Sequence, residues 1–415
     1  MPHSVSGDIV EMDFERVFER WDYRKITRKL FGRSDPSEFY LDLRYVNYAY
    51  ATAVVPLIAL CKHLRAGGTD VEIAYPFDDS YWRTAGWTAL LEGRDALPVD
   101  AARSFIPVQS YSDSARLNSV ISDVLEVLAR HMSCSAGVLD SIAWTLNELA
   151  DNVLVHAAEP GTEAEGLIQV VSHPGQQQVD LVVSDYGRGI RKSLSQSHNP
   201  SSDEEAIRLA IEAGVTRDKA AGQGNGLAGS VRIVTAASGE LTIMSGNAEL
   251  DVSSGDVSAA FCGAVPGTSV CLILPTNVEI DISKALWGSP PTPEFEMTHL
   301  SEDDQIEFAV AQEASGFGNR ATGRQLRLKL RNLMDQFRDS KAQVDFADVG
   351  LISASFADEF IAKLVVEMGH FSFFSRVSLK NANPFVVRTL DNVISQRSQA
   401  PHISPNGPAI GDFAQ

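Results

Sequence analysis

The chain has 415 residues, 44% of them hydrophobic and 21% charged, which is an ordinary globular composition. At the usual domain size this length allows roughly two to four domains, each with its own core. The 35 Lys and Arg against 54 Asp and Glu give a formal charge of −19. This charge argues against a basic surface for nucleic acid or anionic membranes. The charge does not exclude phosphate ligands, because backbone amides also bind phosphate.

Cysteine usage and hydropathy address the compartment. The four cysteines are scattered, with no CxxC pair or Cys/His cluster, which argues against a structural zinc site and suits a reducing compartment. The acidic N-terminus lacks the basic and apolar regions of a signal peptide. The most apolar run, Tyr48–Cys61, is about 14 residues long and contains Pro56, whereas a membrane-spanning helix needs roughly 20. We therefore expect a cytoplasmic protein.

The N-terminal region alternates strand and helix patterns. The run at Glu38–Leu43 predicts a strand, and the long apolar stretch at Thr52–Leu64 predicts a helix that ends at the glycine pair 67–68. Another strand is predicted at Val71–Tyr75. This order predicts a small α/β domain over residues 1–105.

The first motif of the central region is a helical pattern at Asn147–Ala157. Glu148 and Asn152 are four residues apart and therefore share one helix face. A carboxylate can orient or deprotonate an attacking water or hydroxyl, and an amide oxygen suits Mg²⁺. Taken alone, the pattern also fits an amphipathic helix with a solvent-exposed polar face.

The second motif is an apolar strand that ends at Asp185 and leads into Gly187 and Gly189. An aspartate in this place can accept a hydrogen bond from an exocyclic amine such as that of adenine. The glycines allow the backbone to approach a flat ligand. The alternative is a simple tight turn after a strand.

The third motif is the glycine-rich run 222–229, which leads into a helix. It places free amides and the positive end of a helix at one point, which is an anion site, unless the run is a flexible linker. It matches neither a Walker A loop nor a dinucleotide-binding fingerprint. A fourth motif, 266–275, is a turn and a strand with Thr268 at its start, and alone it indicates little.

In this order and spacing, the four motifs resemble the GHKL ATPase superfamily. The superfamily includes gyrase-type topoisomerases, heat-shock chaperones, mismatch-repair ATPases, sensor histidine kinases and anti-sigma-factor serine kinases. The matching segments are ELADNVLVHA, DYGRGI, GQGNGLAG and GTSV. The resemblance implies an α/β (α+β) fold, with a Bergerat-type ATP-binding sandwich of mixed sheet and helices over residues 106–280.

The resemblance also implies roles for single residues. Glu148 falls on the catalytic glutamate and Asn152 on the Mg²⁺-binding asparagine, so ATP and Mg²⁺ are the implied cofactors. Asp185 falls on the adenine-binding aspartate. The remaining implied nucleotide contacts are Gly187, Gly189, Gly222, Gly224, Gly226, Leu227 and Thr268. His156 resembles the histidine that follows the asparagine in the anti-sigma kinase branch.

The segment 191–221 would be the ATP lid, since it is polar and rich in Ser, Asp and Glu. No dimerisation-histidine helix precedes the first motif, which disfavours an autophosphorylating histidine kinase. No equivalent of the transducer lysine of the gyrase-type hydrolases is evident. Lys192 or Lys219 could reach phosphate, although both also read as ordinary exposed lysines.

A proline-rich linker is predicted at 281–300, then a domain at 301–398 and a flexible tail at 399–415. The C-terminal domain repeats the N-terminal order, with strands at Val344–Phe346 and Val377–Leu379 and a helix at Phe356–Met368. It resembles a STAS-like family of unknown function through the segment SFADEF. The N-terminal region resembles STAS-like domains more distantly. Generic α/β scaffolding is the alternative for both.

Ser355 falls in the column of the serine that is phosphorylated in anti-sigma-factor antagonists, and Thr52 occupies that column in the N-terminal region. A phosphate at Ser355 would lie at the positive end of the following helix. Alternatively, both hydroxyls are helix N-caps. Ser353 stands where the antagonist pattern has an aspartate.

Three functions are compatible with this sequence. The first is a Mg-ATP-dependent regulatory ATPase whose nucleotide state controls STAS-like interaction domains. The second is a serine/threonine kinase of the anti-sigma type that acts on a STAS partner or on itself, and the third is a non-enzymatic ATP-binding module. Glu148 favours chemistry over passive binding. We expect a protein partner through the STAS-like domains, no direct nucleic acid and no membrane, and the sequence leaves a homodimer open.

Overall fold

A computed structural model describes residues 9–33, 36–158, 164–195, 197–212, 226–286, 301, 305–314, 316–338 and 340–399. The chain divides into two compact units, Met1–Met297 and Thr298–Gln415. None of the helices in the described part of the chain combines the length and the apolarity that a bilayer crossing requires.

The first unit begins with an α/β layer. Its elements are β1 (Ile9–Phe18), α1 (Arg20–Leu30), β2 (Glu38–Ala49), α2 (Ala51–Ala66), β3 (Asp70–Ala74), α3 (Ser80–Thr84) and α4 (Trp87–Leu91). The strands form a parallel sheet in the order β1–β2–β3. The strand–helix–strand prediction for this region is confirmed, and β2 and α2 are longer than predicted.

A five-stranded sheet with its helices forms the centre of the first unit. Its elements are β4 (Gln109–Tyr111), α5 (Ser114–His131), α6 (Val138–His156), β5 (Gly166–His173), β6 (Gln178–Asp185), α7 (Gly189–Leu194), α8 (Asp203–Ala210), α9 (Gly226–Ala236), β7 (Glu240–Ser253), β8 (Asp256–Pro275) and α10 (Ile282–Leu286). The strand order is β4–β5–β6–β8–β7.

The α/β sandwich is confirmed, but the expected mixed sheet is not found. Every pairing in the five-stranded sheet is antiparallel. Short connections explain two of the four pairings: residues 174–177 join β5 to β6, and Ser254 and Gly255, both at positive φ, join β7 to β8. Two such residues give a hairpin turn whose twist matches that of its strands.

The five-stranded sheet is covered on both faces. Leu181 and Val183 of β6 belong to one apolar core with α5 and α6, whereas Val182 between them belongs to the other core with α2. Burial on both faces explains why β6 reads as a nearly continuous apolar run. It also explains why α2, packed between two sheets, is apolar around its whole circumference. This second core is shared by residues on both sides of position 105, and a domain boundary there stays a prediction.

The second unit contains a parallel sheet in the order β9–β10–β11. Its elements are β9 (Ile306–Ala309), α11 (Val310–Glu313), α12 (Arg320–Gln336), β10 (Ala342–Asp345), α13 (Ala354–Ala357), a π-helical turn (Asp358–Ala362), α14 (Lys363–Met368), α15 (His370–Arg376), β11 (Val377–Lys380) and α16 (Pro384–Gln399). The predicted strands and helix of this region are confirmed. Helix α10 occupies part of the predicted linker 281–300, while its proline cluster and the tail after 399 lie outside the described residues.

Candidate nucleotide site

Helix α6 carries the first two site residues. Its buried side includes Leu146, Leu149 and Val153, which fixes the orientation of the helix on the sheet. Glu148 and Asn152 therefore project together from another side, as their spacing predicts. Both side chains are partly buried.

Helix α9 brings the glycine-rich motif to these side chains. A Cβ atom placed on Gly226, at the start of α9, would lie 2.8 Å from Oε2 of Glu148 and 3.1 Å from Nδ2 of Asn152. One turn later, a Cβ on Gly229 would lie 2.0 Å from the Trp144 ring of α6. Gly229 thus allows the two helices to approach, and the approach aims the α9 N-terminus at Glu148. Leu227, the next residue of α9, packs against the apolar core that the five-stranded sheet forms with α5 and α6.

The environment of Glu148 changes its proton affinity. Burial raises the pKa of its carboxyl, and the nearby Asp151 carboxylate raises it further. A carboxylate with a raised pKa is a better proton acceptor than an exposed one. This suits a general base more than a simple surface residue.

Asp185 is the last residue of β6 and is only 4% exposed. Its Oδ1 accepts a hydrogen bond from the Gly187 backbone N–H at 2.8 Å, and the Thr268 backbone also bonds to the carboxyl. Burial raises the pKa of Asp185 to about 7, and these two hydrogen bonds oppose the rise. An acceptor this well held can recognise a donor such as an exocyclic amine.

Gly267 is required beside Asp185. It has a φ of +60°, and a Cβ at this position would lie 2.3 Å from Oδ1 of Asp185 and 2.4 Å from its backbone oxygen. Only glycine fits here, for both steric and conformational reasons. Gly267 therefore places the following residue, Thr268, next to the buried carboxylate.

Glycine is needed at positions 187 and 189 for different structural reasons. A Cβ on Gly187 would lie 2.1 Å from the carbonyl oxygen of Ala157, directly after α6. Gly189 has a φ of +73° and lies against Ser245 and Gly267. The glycine pair thus joins the end of β6 both to α6 and to β8.

Ser245 of β7 is a site residue that the sequence reasoning missed. Its hydroxyl donates to the Gly267 carbonyl at 2.8 Å, accepts from the Ile190 N–H at 3.0 Å, and lies 3.3 Å from the Thr268 hydroxyl. This one buried hydroxyl links the start of α7, which follows Asp185, to the part of β8 that carries Thr268. No local pattern around Ser245 signals this role, because its partners are far away in sequence.

The remaining predicted positions divide into described and undescribed residues. Gly222, Gly224 and Lys219 lie outside the described residues, as does much of the predicted lid. The described part of the lid contains α7 and α8, and Lys192 is exposed there. His156 is the last residue of α6.

The N-cap interpretation of Ser355 and Thr52 is wrong. The N-cap of α13 is Ser353, whose Oγ accepts from the Phe356 N–H at 3.1 Å and lies 3.0 Å from the Ser355 hydroxyl. Ser355 is the second residue of α13, and Thr52 is likewise the second residue of α2, after Tyr50 at its N-cap. Both hydroxyls are partly buried.

Comparison with protein families agrees with this geometry. Residues 137–278 match the model of the histidine kinase-, DNA gyrase B- and HSP90-like ATPases, and these residues include α6, β6, α9 and β8. Residues 322–386 match the model of a STAS-like domain of unknown function. Neither match extends to the N-terminal α/β layer, so a STAS-like domain there stays a prediction. No curated protein matches this chain in sequence. The chain thus contains a GHKL-type ATPase domain and, after it, a STAS-like domain.

Proposed function

We propose that the chain binds Mg-ATP at this site and hydrolyses it as a regulatory switch. The single observation that carries the proposal is the position of the Glu148 carboxylate against the first residue of α9. The amides at a helix N-terminus and the positive helix end favour phosphate. A carboxylate beside bound phosphate is unfavourable for mere binding, so its presence supports chemistry at the γ-phosphate.

The site residues fit Mg-ATP by their chemistry. Asp185 offers a buried acceptor for the adenine amine, and Gly267 keeps side-chain bulk away from this carboxyl. Gly226 does the same beside Glu148 and Asn152. Asn152 offers an amide oxygen, a hard ligand of the kind that Mg²⁺ accepts. Among the described residues no group of three or more His, Cys, Asp and Glu side chains could hold a metal alone. Phosphate and water oxygens would therefore complete the Mg²⁺ shell.

In this proposal each residue has one task. Asp185 holds the adenine, and the α9 amides hold the phosphates. Bound Mg²⁺ would neutralise charge on the phosphate oxygens. Glu148 orients a water and accepts its proton as the oxygen attacks the γ-phosphorus, and its raised pKa favours that transfer. ADP leaves with the bridging oxygen, and the phosphate carries the water oxygen.

The two matched domains together support a nucleotide-binding regulatory role. We propose that the nucleotide state controls which partner the STAS-like domain binds.

A kinase is the second candidate, and Ser355 is the observation that favours it. Its hydroxyl is partly exposed and lies in the first turn of α13, while Ser353 does the capping. A phosphate on Ser355 would therefore not remove the helix cap, and negative charge is tolerated near a helix N-terminus. In this case the Ser355 hydroxyl or that of a STAS partner, rather than water, attacks the γ-phosphorus.

Incubation of the full chain with Mg-ATP labelled on the γ-phosphate separates the candidates. Free labelled phosphate that disappears in Glu148→Gln supports the hydrolase, and labelled protein that disappears in Ser355→Ala supports the kinase. Intact-mass spectrometry, with and without candidate STAS partners, checks the second outcome independently. Binding of ATP with neither product would leave a non-enzymatic module, and absence of ATP binding would overturn all three.

A further inference from the structure

The segment 16–33, which includes helix α1, carries an unusual concentration of positive charge. Residues 16–33 contain seven of the 35 Lys and Arg of the chain and only two acidic residues, so their formal charge is +5. The rest of the chain therefore carries −24. A local charge so opposed to that of the whole molecule calls for a separate explanation.

Part of this charge is structural. Arg24 contacts the fully buried carboxylate of Glu249 at 3.2 Å, and Arg20 contacts Asp251 at 2.8 Å. These pairs fix α1 on strand β7. Two of the seven cations are therefore structural. Removal of the cation from such a pair would leave the buried carboxylate uncompensated and would destabilise the fold.

Three of the other five cations line the outward face of α1. Trp21, Lys25, Arg28 and Lys29 follow one another at helical spacing and are all exposed, whereas the opposite face, including Tyr23 and Ile26, is buried. Lys25 pairs with Asp22 but keeps half of its side chain exposed. Within the described residues, Arg28 and Lys29 bond to the backbone carbonyls of Phe261 and Glu11 rather than to carboxylates.

Exposed aromatic rings accompany these cations. Trp21 is 50% exposed, and the Arg28 guanidinium carbon lies 5.3 Å from its ring centroid. Phe31 and Phe261 are each 46% exposed and contact each other edge to face, with centroids 4.9 Å apart. We call Trp21, Lys25, Arg28, Lys29, Phe31 and Phe261 the basic–aromatic face. Exposed Trp, Phe and Arg side chains are the composition of protein-binding hot spots.

A cavity of about 380 Å³ adjoins this face at Phe31. Its apolar walls include Leu60, Leu64 and Pro266, and Arg33 and His63 add basic groups. The Asp203 carboxylate also lines the cavity. It accepts a hydrogen bond from the Asn247 N–H at 2.9 Å, which partly compensates its negative charge. The volume lies at the lower end of the range of ligand pockets, about 300–1,000 Å³, so it has room for a large apolar side chain.

We propose that the basic–aromatic face and this cavity bind an acidic peptide segment of a partner protein, with one apolar residue of the peptide in the cavity. Lys25 and Lys29 also line a second cavity with the carboxylates of Glu11, Asp13, Glu15 and Asp22. The acidic segment would therefore lie on the other side of the face, with its carboxylates on Arg28 between Trp21 and the cavity at Phe31, and would not extend over β1. A long polyanion or an anionic membrane would extend more than one Debye length, about 8 Å, beyond this face. There it would be repelled by the negative charge of the rest of the chain. The charge of −24 outside the segment therefore favours a peptide over nucleic acid or lipid.

Selection of random peptides displayed on phage against the immobilised full chain tests this proposal. We expect the recovered sequences to carry several Asp or Glu residues around one aromatic or aliphatic anchor. Synthetic copies should bind the chain about tenfold or more weakly when it carries Arg28→Glu or Trp21→Ala, as for hot-spot residues. Peptide binding is measured without ATP, so the result does not depend on the proposed ATPase.

Arg103→Glu is the matched control, since it makes the same charge change on an exposed arginine of a loop. It should leave peptide binding unchanged, and thermal unfolding checks that every variant is folded. Recovered peptides without acidic enrichment, or equal binding to Arg28→Glu and Arg103→Glu, would overturn the proposal. Tighter binding of oligo(dT) or phosphatidylserine vesicles than of any peptide, lost in Arg28→Glu, would overturn it in favour of a nucleic-acid or membrane surface.

Discussion

Asp185→Asn gives a test in which stability and ligand binding move in opposite directions. The pKa of Asp185 is about 7 in the folded chain against 3.8 for a free carboxyl. Because the folded pKa is raised, the folded state is favoured at low pH and loses stability as pH rises toward 7. At about 1.4 kcal/mol per pKa unit the full effect is about 4 kcal/mol, with about 3 kcal/mol of it between pH 5 and pH 8.

The asparagine variant removes this cost at pH 8. Its amide nitrogen cannot accept a hydrogen bond, so one of the contacts from Gly187 and Thr268 is lost at about 1–3 kcal/mol. We therefore expect Asp185→Asn to be more stable than the natural chain by about 1–3 kcal/mol at pH 8, and equally stable or less stable by up to about 2 kcal/mol at pH 5. Its affinity for Mg-ATP should instead fall by about 1–3 kcal/mol, because the adenine amine loses its acceptor.

Urea denaturation followed by tryptophan fluorescence measures the free energy of unfolding. All five tryptophans lie at or before position 287, so the signal reports on the first unit. Calorimetry at pH 8 measures Mg-ATP affinity. Equal pH dependence of stability in the natural chain and the variant would refute the raised pKa, and unchanged affinity would refute the adenine contact.

Three further substitutions test the other site residues. Glu148→Gln should keep Mg-ATP bound but slow phosphate release about 10²-fold or more, the usual scale for a lost general base, and a parallel loss of binding would make Glu148 structural. Asn152→Ala should abolish the difference in ATP affinity between Mg²⁺ and EDTA buffers, and a preserved difference would contradict its role as metal ligand. Gly267→Ala should lower the free energy of unfolding in urea by about 3 kcal/mol or more. The control Gly93→Ala, which has a similar positive φ of +74° but open space around it, should lower it by only about 1 kcal/mol. Equal losses would mean that backbone strain alone, not the contact with Asp185, makes Gly267 necessary.

Local patterns in the sequence predicted elements and sides of elements. The four-residue spacing of Glu148 and Asn152 predicts a shared helix face, and the helix is present. The strand ending at Asp185 and the helix after the glycine-rich run are confirmed as β6 and α9. Each of these depends on periodicity within one segment, which a sequence contains in full.

The N-cap interpretation of Ser355 was wrong because a shift of one or two residues in the start of a helix changes which residue is its N-cap. Ser353 and Ser355 are both plausible caps by type. The helix begins at Ala354, so that Ser353 caps it. Packing of Phe356 into the core decides this register.

The sequence by itself determined the residue types of the nucleotide site and the segments that carry them. Only the tertiary structure decided why they meet. Gly229 allows α9 to lie on Trp144, and this approach brings Gly226 to Glu148. Ser245 joins the start of α7, after Asp185, to the part of β8 that carries Thr268. The physical reason is that close approach, burial and the resulting shift in carboxyl pKa depend on distances between residues remote in sequence, which no local pattern specifies.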